Sequence, residues 1–264
     1  MTSSEYLVAA EKRIAHIKGH LVAMESNTVG PASRNVRNRT GSPKGSAMRL
    51  SSHALACAMD SWFDKQDLAR LRQWAYVAAR LDKFVYQLDT EKSQGGGMLG
   101  LLAPLLSNER STIEWFANYD EPFYLDRVDD HRTFDHLAYQ AKLALRGEWR
   151  LLAERCKRAI ADPPRSSSLQ KYVDDYDFYL ALADGDKTGM EAALLDMVQP
   201  RKVRGRSNDD CGFTADLIST AAVIYAKIAG LHGHELRVDS PYVPAAWLAN
   251  TPLERYDDHY DFLK

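Results

Sequence analysis

Hydrophobic residues recur every three or four positions along most of the chain, which is the spacing of one face of an α-helix. The first segment shows this clearly, with Tyr6, Ile14, Ile17 and Leu21 on one side of a helix. A longer run over residues 66–88 repeats the pattern. Apolar and polar residues never alternate over a useful length, so no β-sheet is expected. The sequence predicts an all-α protein, a single domain over residues 1–264. We expect about ten helices packed as antiparallel helical hairpins, partly in the manner of a TPR-like solenoid.

Glycine and proline interrupt the helical pattern at two places. Residues 27–47 contain Gly30-Pro31 and Gly41-Ser42-Pro43 and almost no large apolar side chain. This composition predicts a flexible loop of unusual length for a compact domain. Three consecutive glycines at 95–97 predict a break after the longest helical run, because glycine loses the most backbone entropy in a regular element.

Two stretches in the second half of the sequence resemble each other. Each carries a tyrosine, then Leu-Ala-Leu, then a glycine followed by an acidic residue. The tyrosines are Tyr139 and Tyr176, and the turns are Gly147-Glu148 and Gly185-Asp186. A glycine suits a left-handed helix end, and an acid suits the start of the next helix. Each copy therefore predicts a helical hairpin, either as a unit similar to a tetratricopeptide repeat or as one of two unrelated hairpins.

Composition places the chain among ordinary soluble globular proteins. Its 264 residues carry 34 Lys+Arg against 36 Asp+Glu, which excludes a polybasic nucleic-acid binder. Three widely separated cysteines do not make a disulfide framework or a zinc motif. The first segment contains Glu5 and Glu11 and resembles no secretory signal, and no window approaches a transmembrane span. We therefore predict a cytoplasmic protein that does not bind a membrane.

The residues offer no recognised catalytic arrangement. The sequence contains no nucleophile elbow, no Walker loop and no HExxH pair. We therefore predict a protein that is not an enzyme and binds no cofactor or metal. A dense group of acids and histidines keeps one alternative open, a metal-dependent hydrolase that reverses a toxin's modification. That group consists of Asp126, Asp129, Asp130, His131, Asp135 and His136.

Carboxylates alternate with tyrosines in three blocks, around residues 119–135, 172–177 and 256–261. Acids attract a basic partner, and tyrosines bury a large area at low entropic cost. These blocks predict a protein-binding surface, although solvated helix faces would give the same composition. The predicted contact residues are Asp126, Asp129, Asp130, Asp135, Asp174, Asp175, Asp177 and Tyr172. Two basic loops, residues 34–49 and 201–206, lack interleaved aromatics, so no nucleic-acid partner is expected.

The C-terminal part resembles a known protein family. Leu180-Ala181-Leu182 lies in a helical hairpin, an apolar helix covers residues 217–231, and the tail reads "DSPYVP" and then Trp247-Leu248. Over residues 135–250 this order is similar to the immunity protein 49 family of bacterial polymorphic toxin systems. The immunity proteins of polymorphic nuclease effectors are a second resemblance, but the chain lacks the aromatic-rich stretches expected there.

The resemblance implies an immunity protein that binds and neutralises a cognate toxin, encoded by the adjacent gene, by occluding its active site. The alternative from the repeat pattern is a helical-repeat adaptor that binds a peptide. Exposure of Tyr139 and Tyr176 in a concave groove would favour the adaptor, and burial of these tyrosines would count against it.

Overall fold

The computed structural model describes residues 3–88, 98–207 and 211–264. Over these residues the chain is an all-helical single domain without strands, and neighbouring helices pack antiparallel, so the predicted fold class is confirmed. In chain order the α-helices are α1 (Ser3–Asn27), α2 (Val29–Asn38), α3 (Pro43–Phe63), α4 (Leu68–Leu88), α5 (Leu102–Ser107), α6 (Arg110–Asn118), α7 (Leu125–Val128), α8 (Phe134–Arg146), α9 (Trp149–Ala161), α10 (Ser167–Gln170), α11 (Asp175–Asp184), α12 (Lys187–Met197), α13 (Pro200–Arg206) and α14 (Thr220–Leu231). Three short 3-10 helices cover Met98–Leu101, Ala245–Trp247 and Asp261–Leu263.

Helices α3 and α4 form the main hairpin of the N-terminal half, and each buries a row of alanines. Ala54 and Ala58 of α3 and Ala75 and Ala79 of α4 are all fully buried. Small side chains allow two helix axes to approach closely, since the interaxial distance depends on the residues at the contact. Helix α1 packs along α3 and completes this half.

The prediction of a loop over residues 27–47 is wrong for most of that segment. Helix α2 occupies residues 29–38, and α3 already begins at Pro43. The side chain of Ser42 accepts a hydrogen bond from Gly45 N, and proline follows at the first helical position, a standard way to begin a helix. In α2, Ala32 and Val36 are buried and lie one turn apart. Val29 also packs against the core, and the three apolar residues follow the helical spacing over two turns. So short a pattern is hidden in the sequence by Pro31 and the glycines on either side, and α2 is stabilised by its packing against α3. The predicted glycine break at 95–97 lies outside the described residues.

The two similar stretches fold into two hairpins with matching turns. Gly147 ends α8 with a φ of 70°, and Gly185 ends α11 with a φ of 69°. In each turn the N–H of the glycine and the N–H of the next residue donate to carbonyls of the last helical turn. This pair of hydrogen bonds is that of a Schellman cap. The acid after the glycine caps the next helix only in the second copy, where Asp186 accepts from Gly189 N. The hairpins stack through α9 and α11.

Helix α14 runs through the centre of the molecule and is buried over ten consecutive residues, from Thr220 to Ala229. Residues 248–264 then leave this core as an extended segment, which we call the C-terminal strap. The strap crosses to the N-terminal half and lies along α4, where Gln73 and Asp257 exchange two hydrogen bonds. Further along the strap, Arg80 of α4 donates to Asp258 and to the Leu263 carbonyl. The strap therefore joins the two halves of the fold.

Candidate protein-binding surface

The eight predicted contact residues divide into an exposed and a buried group. Asp126, Asp129, Asp130 and Asp177 are exposed, and Asp174 is half-exposed. The other three are fully or almost fully buried, so they offer almost no surface to a partner in this fold, and the contact role predicted for them gains no support. They are Asp135, Asp175 and Tyr172.

Asp175 anchors a buried ion pair at the start of α11. Arg206 donates to both carboxylate oxygens, at 2.5 Å from Nη2 to Oδ1 and 3.3 Å from Nη1 to Oδ2. Tyr225 donates its hydroxyl to Oδ2 at 2.8 Å. Burial raises the pKa of Asp175, and Arg206 and Tyr225 oppose that rise by stabilising the carboxylate. The guanidinium also lies over the ring of Tyr172, 4.7 Å from its centre, which explains why that tyrosine is buried.

The same ion pair corrects the prediction for residues 201–206. They form α13 rather than a basic loop, and Arg206 points into the core. Burial alone would lower the pKa of Arg206, but the adjacent carboxylate outweighs it and raises the value. Arg206, the last residue of this basic run, therefore stabilises the core.

Asp135 has a comparable structural role near the start of α8. Its Oδ2 atom lies 3.4 Å from Nε of Arg127, and its Oδ1 atom accepts the backbone N–H of Tyr124 at 3.5 Å. The carboxylate therefore ties the turn before α7 to α8.

The exposed acids of the second block do gather on one surface. Lys202 of α13 donates to Asp174 at 2.5 Å and also to Asp196 at the end of α12. Asp177, one turn further along α11, has a raised pKa because of partial burial and the nearby charges of Asp174 and Asp196. Two carboxylates thus bind one ammonium group, and a third lies near enough to feel their charges. We call Asp174, Asp177 and Asp196 the acidic patch.

Asp196 was not among the predicted contacts. The helical hairpin predicted from the sequence could have indicated Asp196 as well. In an antiparallel pair the end of the second helix lies beside the start of the first, so the end of α12 returns to the acids at the start of α11.

The exposed acids of the first block are mostly paired. Asp129 is 82% exposed, yet one oxygen accepts from Arg155 at 2.7 Å. Asp130 accepts the backbone N–H of Arg132 at 3.0 Å, and the guanidinium of Arg132 binds Asp162. Basic side chains therefore balance the acids more fully on this surface than at the acidic patch, where the carboxylates share Lys202.

The group that suggested a metal site does not converge. His131 faces Asp162 at 3.1 Å, and Asp135 faces Arg127. His136 is buried beside the hydroxyl of Tyr176, and burial lowers the pKa of His136 to about 3. Across the described ranges, no three His, Cys, Asp or Glu side chains come together as metal ligands. The hydrolase alternative therefore has no site in this part of the chain.

The two tyrosines that would mark an adaptor groove are not free. Tyr176 is buried beside His136. Tyr139 is half-buried, donates to Asp120 at 2.8 Å and accepts from Arg146 at 3.0 Å. By the criterion set from the sequence, the burial of Tyr176 counts against the adaptor.

The third block of acids and tyrosines is used inside the molecule. It lies in the C-terminal strap, where Asp258 accepts hydrogen bonds from Tyr76 at 2.8 Å and from Arg80 at 2.6 Å. Tyr260 is buried, and Tyr256 donates to the Ser107 carbonyl. This block fastens the strap to the helices beneath it.

These features define a class, a helical-hairpin protein whose acids and tyrosines mostly stabilise the fold and leave one acidic patch at the surface. Among the described helices, none is both long and apolar enough to span a membrane.

A family model for immunity protein 49 matches residues 110–247, more than half of the chain, and the chain belongs to this family. The resemblance read from the sequence is confirmed, and the matched segment begins earlier than expected. No curated protein and no solved structure matches the chain.

Proposed function

We propose that the protein binds a cognate toxin encoded by the adjacent gene and occludes the active site of that toxin in the cytoplasm. The observation that carries the proposal is the match of residues 110–247 to the immunity protein 49 family, since such membership implies neutralisation of a toxin. Binding alone is enough for this role, so no catalytic group is required.

The acidic patch supports an electrostatic part in this binding. Its three carboxylates outnumber the single ammonium of Lys202, so the surface attracts a basic partner and speeds its association. A toxin that acts on an anionic substrate presents such a basic active site, and Asp174 and Asp177 would occupy the place of substrate charges. Asp126, Asp129 and Asp130 are the proposed secondary contacts, on the neighbouring surface of mixed charge.

The first test is genetic. The adjacent gene is expressed alone and then with the full chain, and growth is followed. We expect the neighbour to stop growth alone, growth to return on co-expression, and the two proteins to purify together. A harmless neighbour, or continued killing in the presence of well-folded protein, would contradict the proposal.

The second test addresses the patch. Asp177→Lys replaces an exposed side chain, so the fold should be retained, and circular dichroism checks this. We expect the association rate with the toxin to fall about tenfold or more at low salt, with a smaller loss at high salt because screening already weakens the attraction. Glu11→Lys on α1 is the matched control, since it makes the same charge change at an exposed site outside residues 110–247. Equal rates for the two variants would remove the patch from the interface.

A further inference from the structure

A cleft that shares no lining residue with the acidic patch opens beside α6. It has a volume of about 670 Å³ and lies between α6, the ends of α8 and α14, and the beginning of the C-terminal strap. This size falls within the range of about 300–1,000 Å³ that is usual for binding pockets. Its apolar wall consists of Ile113, Ala117, Leu145, Leu231 and Pro252.

Leu231 is the most informative residue of this wall. It is the last residue of α14, whose preceding residues from Thr220 to Ala229 are all buried, yet Leu231 itself is 39% exposed. A leucine at the edge of an apolar recess gains from being covered, at about 25 cal/mol per Å² of apolar area removed from water. The recess therefore suits a large apolar side chain from outside.

The polar rim of the cleft carries two arginines, Arg110 and Arg146, and one carboxylate, Glu114. The charge of Arg146 is compensated by Asp120 and by Glu148, which lies 3.7 Å from its Nη1 atom. Arg110 is 91% exposed and contacts Glu114 through Nε, at 2.7 Å. The outer edge of the Arg110 guanidinium thus faces solvent.

More positive charge lies directly beneath the rim. Asn108 and Asn250 line the cleft, and both accept hydrogen bonds from the buried Lys227 at 2.5 Å. The nearby Arg72 is also buried and donates to the Ala249 carbonyl at 3.2 Å. Within the described part of the chain, the hydrogen-bond partners of these two side chains are neutral oxygens, with no carboxylate among them. A carboxylate brought to the cleft mouth would therefore meet a favourable potential from Arg72, and also from Lys227 whenever its amine is protonated.

From this geometry we propose that the cleft binds a segment of the toxin in which a large apolar side chain stands beside a carboxylate. The apolar side chain would contact Leu231 inside the cleft, and the carboxylate would pair with Arg110 at the rim. The inference rests on the proposed function and adds a second contact region, of opposite charge to the acidic patch. Most of the lining comes from α6, α8 and α14, which all lie within the family match.

The decisive experiment probes the chemistry of the cleft without requiring the toxin. A phage-displayed library of random dodecapeptides is selected on the full chain, and Leu231→Gln protein is used to remove peptides that bind elsewhere. We expect enriched peptides that place Trp, Phe or Leu next to Asp or Glu. Their affinity should fall about tenfold or more for Leu231→Gln and for Arg110→Glu. No enrichment, or enrichment of basic peptides, would overturn the inference.

Two matched controls accompany these variants. Leu151→Gln changes a leucine that is 40% exposed on α9, and Arg150→Glu breaks an exposed ion pair with Glu154 of the same i,i+4 type as that of Arg110. Both controls should bind the peptides as the native chain does. If the controls lose affinity equally, the effect is a general surface change and the cleft is not the binding site.

Protection assays then separate the two proposals. If the native chain fails to protect against the adjacent toxin, the proposed function fails, whatever the peptides show. If the native chain protects and Leu231→Gln and Arg110→Glu protect equally well with unchanged affinity, the toxin does not use the cleft. A concentration-dependent dimer of the native chain that Leu231→Gln abolishes would instead identify a second copy as the occupant.

Discussion

Two buried charged sites in this molecule differ in how the charge is compensated. At the first, Asp175 meets the guanidinium of Arg206 and the hydroxyl of Tyr225. At the second, the ammonium of Lys227 meets the amide oxygens of Asn108 and Asn250 and the carbonyl of Ala249, without a carboxylate. Helix α14 contributes to both sites, through Tyr225 at the first and Lys227 at the second, two residues further along the helix.

The comparison shows why pairing matters in a helical core. Arg206 keeps a raised pKa despite burial because a carboxylate lies beside it. The pKa of Lys227 falls to about 7, because burial and the nearby positive charge of Arg72 both disfavour the ammonium form. The first site holds a fixed ion pair, whereas the second holds a group that changes charge near neutral pH.

The largest expected effect comes from breaking the ion pair. Arg206→Met leaves the buried carboxylate of Asp175 with only the Tyr225 hydroxyl as a close partner. Removing one member of a buried pair typically costs about 3–5 kcal/mol of unfolding free energy. Urea denaturation followed by circular dichroism measures the loss. The double variant Arg206→Met with Asp175→Asn should recover part of it, and a single variant as stable as the native chain would show that the pair contributes little.

A smaller effect is expected at the same site from Tyr225→Phe. This change removes the hydroxyl that donates to Asp175 at 2.8 Å and keeps the ring, which stacks on Phe178. A hydrogen bond to a charged group contributes about 1.5–3 kcal/mol, so the loss should be smaller than for Arg206→Met. Tyr260→Phe is the control, because that buried hydroxyl has no hydrogen-bond partner among the described residues and lies away from Asp175, in the C-terminal strap. Equal losses for the two variants would place the effect in packing rather than in the carboxylate contact.

The effect at the second site depends on pH. An unfolded lysine keeps its proton to about pH 10.4, whereas folded Lys227 loses it at about pH 7. Between these values the unfolded chain binds more protons, so raising the pH stabilises the folded state by up to about 1.4 kcal/mol per pH unit. Below pH 7 both states are protonated, and the cost of burying the ammonium is fully present.

Lys227→Met should abolish this dependence. The stability difference between the native chain and the variant should grow as the pH rises from 7 to 9, and denaturation at several pH values measures it. At pH 7 itself the variant should differ by no more than about 1.5 kcal/mol in either direction, since it removes hydrogen bonds but also a costly buried amine. A constant difference over this pH range would mean that Lys227 stays charged.

The sequence was a good guide wherever many apolar residues followed one helical period. The two turns at Gly147 and Gly185 could also be predicted from the sequence, because a left-handed helix end strongly favours glycine. Helix α2 was missed because its apolar residues Val29, Ala32 and Val36 span only two turns, while Pro31 and the glycines suggested a loop.

The exposure of individual acids at the candidate protein-binding surface was harder to predict, as two adjacent residues show. Asp174 and Asp175 are adjacent in sequence, yet one binds Lys202 at the surface and the other binds Arg206 in the core. A rotation of about 100° around the helix separates consecutive residues, and the partner that fixes the inward position lies 31 residues later. A block of acids in a sequence therefore does not reveal which of its members face solvent.

The C-terminal strap has a consequence for the order of folding. The hydrogen bond from Arg80 to the Leu263 carbonyl joins residues that are 183 positions apart in the sequence. Closing so long a loop costs entropy that the local contacts within a helical hairpin do not cost, so we expect the strap to dock after the hairpin of α3 and α4 has formed. Until then the side of α4 beneath the strap and the hydrogen bonds from Lys227 to Asn250 and Ala249 are incomplete.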